Sequence, residues 1–228
     1  MENLFRASKV KLRRALRFID EVEVGLQAHD ASNPIGVRLD GKGGMEITLK
    51  EIDPDVLAAL GDAVHNMRAA LDVMASELAR INDESDDDVY FPFAKSKEQF
   101  PDQIKRKNFH KAGEDAVALI KKFEPYSDGN RMLRAIHDLD IQDKHTGILV
   151  TRRTIRNLNF TYRLDEVQSA PIPASGDNSH EFLEGPLAGR PLIKTLRELV
   201  QLVDGIIEEF ASMVELRQVD SAAKSERP

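Results

Sequence analysis

DPDVLAALGDAVHNMRAALDVMASELARI, residues 53–81, reads as one long helix packed against others. Asp53 is an N-cap residue and Pro54 fits the first helical turn, where a missing N–H costs nothing. Beyond them Leu57, Leu60, Val64, Met67, Leu71, Met74, Leu78 and Ile81 recur by threes and fours, the seam of a helix in a bundle. Ala58, Gly61, Ala75 and Ala79 lie on one flank of that seam with His65, Arg68 and Asp72. Small residues admit a second helix closely, so the polar trio is expected to face a groove or a second interface rather than open water.

The flanking sequence fits that bundle. Phe5, Leu12, Leu16, Ile19, Val22 and Leu26 share one face of a first helix, beside a basic stripe of Arg6, Lys9, Arg13 and Arg17. Val37 and Leu39, a glycine-rich turn, then Met45, Ile47 and Leu49 alternate as a β-hairpin does. The acidic run 83–88 lacks the ligand spacing of a calcium loop. In Val89-Tyr90-Phe91-Pro92-Phe93 the proline blocks regular pairing, so the segment is expected to plug the bundle end. Ser96 opens a third helical region, broken near Gly113 and closed by Glu124-Pro125, and residues 131–145 form a short helix. Residues 148–164 read as two strands, 168–191 as a loop with one edge strand near Phe182, and a last helix starts near Leu192. The expected fold is α+β, predominantly α: a bundle of four or five helices with a small antiparallel sheet inserted in its connections, at about 35–50 and 147–165. It forms one domain over 1–218, with a disordered polar tail from 219 to 228.

The chain of 228 residues contains neither cysteine nor tryptophan, which excludes disulfide scaffolds, thiolate metal sites, iron–sulfur clusters and cysteine nucleophiles. No apolar run reaches the roughly 20 residues that cross a bilayer, so no membrane partner and a cytoplasmic location are expected. The net charge of -7 hides a segregation: residues 1–17 and 105–156 are basic, and the remainder is strongly acidic. A uniformly basic nucleic-acid footprint is missing, although a local patch for RNA or another anionic ligand remains open.

Chemistry concentrates in the helix 131–145. At about 100° per residue, Met132, Leu133, Ile136 and Leu139 form its apolar face, and Asp140 and Asp143 continue that face. Carboxylates so placed need partners, and Arg68 and His65 are the expected ones. The reverse side collects Arg131, Arg134 and His145, flanked by His137.

These residues resemble a widespread set of uncharacterised bacterial helical proteins in which an HNxRxxLD helix precedes an LxxxDKH segment. The matching positions are His65 to Asp72, Phe91-Pro92, Pro125-Tyr126 and Leu139 to His145, with Val73 where that pattern often has histidine. The resemblance carries no established activity. A more distant one is to the HEPN superfamily, small helical bundles that often act as metal-independent ribonucleases. Their mark is an arginine and a histidine four to six residues apart; Arg131 and His137 have five residues between them, with Met132 where a polar residue is usual. Such a resemblance implies RNA cleavage, the histidine moving the proton of a ribose hydroxyl and the arginine holding the phosphate.

Three readings follow. The first is a non-catalytic module that binds a protein partner or forms a homodimer, with His65, Arg68, Asp72, Asp140, Asp143 and Lys144 as a buried polar network. The second is a HEPN-like RNA-cleaving or RNA-binding protein with Arg131, Arg134, His137 and His145 in its site. The third is a metal-dependent enzyme using Asp62, His65, His137 and His145, although no metal-ligand motif is present and no cofactor is expected. His29, His110 and His180 fall in or near expected loops and read as solvated.

Overall fold

The structure, a computed structural model, describes residues 4–32, 34–39, 44–146, 151–160, 172–183 and 185–225. Helix α1 (Arg6–Ala31) buries Leu12, Ala15, Ile19, Val22, Leu26 and His29, a stripe at helical spacing. It packs along α2 (Pro54–Ile81), whose Leu60, Val64, Met67, Leu71, Met74 and Leu78 are fully buried. The expected cap is present, with the Asp53 carboxylate accepting from the Asp55 N–H at 3.0 Å. Glu77 of α2 ties the hairpin of helices at its other end by accepting from Ser8 Oγ at 2.6 Å and from the Ala7 N–H.

Two short helices, α3 (Phe100–Arg106) and α4 (Glu114–Phe123), are joined by a 3-10 turn at Phe109–Ala112 and by Gly113, whose φ of 102° suits glycine. Helix α5 (Arg131–Thr146) packs on α2, and α6 (Leu192–Ser225) packs on α1, α2, α4 and α5, which accounts for its wide apolar stripe. The Phe91–Phe93 segment plugs the bundle as its proline requires: Phe91 is fully buried between Phe93 and Phe109, and Phe109 meets Phe210 of α6. Two boundaries differ from expectation. The third helical region begins at Phe100, with Pro101 in its first turn, and α6 continues through the polar residues after Val219 instead of ending there.

The small sheet has the order β2-β1-β4-β3, all antiparallel, with β1 at Ile35–Leu39, β2 at Met45–Leu49, β3 at Thr151–Phe160 and β4 at Ile172–Phe182. The hairpin β1–β2 is as expected. The second half differs: residues 151–160 make one strand, residues 161–164 of the second expected strand lie outside the described residues, and the strand expected near Phe182 runs back to Ile172 as an inner rather than an edge strand. A Cβ on Gly176 would come within 2.8 Å of the Arg156 carbonyl, beside a bulge between Arg156 and Asn159, so the glycine marks a close backbone approach inside a strand. Ile35, Val37 and Ala174 form a minor core, separate from the bundle core. Among the described residues no helix is long and apolar enough to cross a membrane.

Candidate functional site

Helices α2 and α5 pack with Gly61 against the Asp143 carboxylate, in the space a Cβ would take. With the helices this close, Asp140 is 5% exposed and needs its charge satisfied. His65 Nδ1 donates to its Oδ1 at 2.9 Å and Lys144 Nζ to its Oδ2 at 2.6 Å. Burial pushes the Asp140 carboxyl up, but the two donors and their charges outweigh it and hold its pKa below the usual value. Asp143 moves the other way, raised by burial and then by the neighbouring charges of Asp140 and Asp62. Both His65 and Lys144 keep about half of their side chains in solvent.

A second group centres on the plug. Arg68, 7% exposed, donates to Asp72 Oδ1 at 2.5 Å and to the Phe91 carbonyl at 3.4 Å, and its guanidinium lies 4.6 Å from the centroid of the Phe93 ring. Asp72 also accepts the Phe91 N–H at 2.9 Å. Burial nevertheless raises its carboxyl, against the pull of Arg68. From α5, Arg134, 8% exposed, donates to Asp138 Oδ1 at 3.0 and 2.7 Å and to the Ala94 carbonyl at 2.6 Å. His137 stacks on Phe93 with centroids 5.0 Å apart and an interplanar angle of 12°. Burial, then the positive charges of Arg134 and Arg68, lower its pKa to about 4, and its Nδ1 has no hydrogen-bond partner among the described residues.

The expected network thus splits in two. His65, Asp140 and Lys144 form one unit with Asp143 alongside; Arg68 and Asp72 form another, and Arg68 does not reach the α5 carboxylates. The expectation that Arg134 and His137 face outward is corrected. Residues 91–94 cover that flank of α5, so an angle calculation for one isolated helix assigned to solvent a face that another segment buries. Arg131 stays exposed at the start of α5. His145 lies in the last turn, and its side chain is outside the described residues. His65 bonds Asp140 and Asp62 lies near Asp143, whereas His137 is stacked against the plug; among the described residues no three histidine, aspartate or glutamate side chains converge as metal ligands do.

One cluster escaped the sequence reading. His29, expected in solvent, is 8% exposed in the last turn of α1, and His180 lies in β4. Asp30 pairs with Arg153 at 3.3 Å and accepts from His180 Nε2 at 3.2 Å, while Arg153 also donates to Asn178 Oδ1 and toward His29. Burial and Arg153 lower the His29 pKa. The spacing Val22, Leu26, His29 carried the signal, since it extends the buried stripe of α1 by one turn.

Chemically, a carboxylate holding one imidazole nitrogen can orient the ring for proton transfer. In the rest of the site the guanidiniums are bonded to backbone carbonyls and carboxylates, and the second imidazole, with a pKa of about 4, is neutral at neutral pH. Comparison with protein-family models, curated proteins and solved structures finds no match for this chain.

Proposed function

We propose that this chain is a non-catalytic, cytoplasmic bundle module that binds a protein partner or a second copy of itself, and that its polar residues hold α2, the plug and α5 in register. The observation that carries this reading is that both buried guanidiniums, Arg68 and Arg134, donate to carbonyls of one four-residue segment, those of Phe91 and Ala94. Buried ion pairs of this kind act as register devices even where they add little net stability. The same geometry weighs against RNA cleavage at these positions. An imidazole with a pKa of about 4 is too weak a base to draw the proton from a ribose hydroxyl well at neutral pH and holds none to return to the leaving group, and Arg134 is committed to Asp138 and Ala94.

The test has two arms. Arg68→Met leaves the Asp72 carboxyl without its cation, so calorimetry should show a loss of about 3 kcal/mol, or roughly 10 °C in Tm for a chain of this size. Wild type and His137→Ala should both leave mixed RNA intact. An unchanged Tm, or RNA cleavage that disappears in His137→Ala, overturns the reading.

A further inference from the structure

We infer that β2 is a dimerisation edge whose partner is β2 of a second copy of this chain, paired antiparallel about a two-fold axis through Ile47. The inference rests on the reading of the chain as a binding or oligomerisation module and names its partner.

In Met45-Glu46-Ile47-Thr48-Leu49 apolar and polar residues alternate, so the three apolar side chains share one face. Their cross-strand partners in β1 are Leu39, Val37 and Ile35. Val37 and Ile35 are 0% and 2% exposed, whereas Met45, Ile47 and Leu49 are 53%, 46% and 54% exposed. The apolar face of the sheet therefore extends past its own cover and ends bare on an edge strand that is exposed along its whole length.

The backbone points the same way. Lys50 N–H donates to the Pro34 carbonyl at 2.8 Å, which makes Pro34 and Lys50 opposed across a hydrogen-bonding position. Antiparallel pairs alternate, so the next hydrogen-bonded pairs are Gly36 with Thr48 and Arg38 with Glu46. The N–H and C=O groups of Met45, Ile47 and Leu49 are left directed at the open edge.

An axis through Ile47 opposes these outward groups: Ile47 meets Ile47 of the second copy, and Met45 meets Leu49. Each outward N–H then finds a carbonyl, the apolar residues meet on one face, and Glu46 lies opposite Thr48. An axis at Glu46 would oppose two carboxylates, and one at Thr48 would set Met45 against Glu51. Edge strands usually block such pairing with proline, an inward lysine or a bulge, and β2 has none of these. Five residues a side make a small interface, so the dimer should be reversible, with a Kd of about 10–100 µM.

Sedimentation equilibrium from about 5 to 300 µM should show wild-type mass rising toward twice that of the chain. Ile47→Pro removes an N–H that faces the open edge and leaves the ladder bonds to β1, which run through Glu46 and Thr48, so it should remain monomeric throughout with an unchanged circular dichroism spectrum. Should that variant lose its spectrum, the folded Leu49→Lys variant replaces it, with the same expected loss of association. For the register, the chain lacks cysteine, so Ile47→Cys should be joined to its symmetry mate by a short bis-maleimide, while Met45→Cys, offset by four residues, should not. A wild type that stays monomeric at the highest concentration, a dimer that persists in the monomerising variant, or equal cross-linking at both positions overturns the inference. The Arg68→Met and RNA arms do not depend on association, so a monomer with an intact clamp sinks the dimer alone.

Discussion

His137 shows how a single side chain changes meaning once its neighbours are known. In sequence it is a histidine on a basic helix; in the fold it is a flat ring stacked on Phe93 and exposed to the positive charges of Arg134 and Arg68. Its pKa falls from 6.5 in the unfolded chain to about 4 in the folded one. Between those values the unfolded chain binds the extra proton, so His137 lowers stability as pH drops from about 6.5, and the loss is complete below about 4. The whole shift corresponds to at most about 3 kcal/mol. His29 contributes with the same sign, whereas the raised carboxyls of Asp72 and Asp143 oppose it. His137→Phe keeps a stacked ring and removes the titration. Urea midpoints for the two proteins should diverge below pH 6.5, the variant being the more stable at pH 4.5, and parallel curves would refute the neutral-imidazole account. None of this was legible in the sequence, because residues 91–94 reach α5 from about 40 positions away.

At the scale of elements, periodicity was a reliable guide wherever one helix face meets the core. The α2 seam from Leu60 to Leu78 and most of the α1 and α6 stripes are buried as their spacing predicts, while Ile81 at the end of the seam is exposed. Gly61 belongs to this scale, since it leaves room on α2 for the Asp143 carboxylate. Gly61→Ala gains helix propensity and makes that half-buried carboxylate swing aside, so we expect a net change within about 1 kcal/mol. In a double-mutant cycle read by calorimetry, Gly61→Ala should be more favourable in the Asp143→Ala background than in wild type; additive effects would show that the two side chains do not meet. Strand β4 marks the limit of pattern reading. Its glycine and polar residues have the composition of a loop, and only pairing with β1 and β3 makes them a strand.

For the whole molecule, the two cores differ in size and in their ties. The bundle core runs through all the helices, while the sheet has its own small core around Ile35, Val37 and Ala174 and is joined to the bundle by Phe182 of β4 and to the end of α1 through Asp30, Arg153 and His180. The sheet should therefore open as a unit before the bundle does. Native-state hydrogen exchange should show lower protection in β1, β3 and β4 than in the middle of α2. Arg153→Met should lower the sheet values further and leave α2 unchanged. A common opening free energy for sheet and bundle would contradict this division.

The sequence by itself determined the helical elements, the β1–β2 hairpin, the plug and the residues that carry charge into the α2–α5 contact. Each depends on local spacing, capping or proline chemistry that the chain carries wherever it goes. The tertiary structure alone decided which charges pair, that Arg134 and His137 turn inward, that β4 runs from Ile172 as an inner strand and that β2 ends the sheet with its apolar side chains exposed. Those outcomes depend on what a second or third segment covers, and no periodicity within one segment encodes its neighbour.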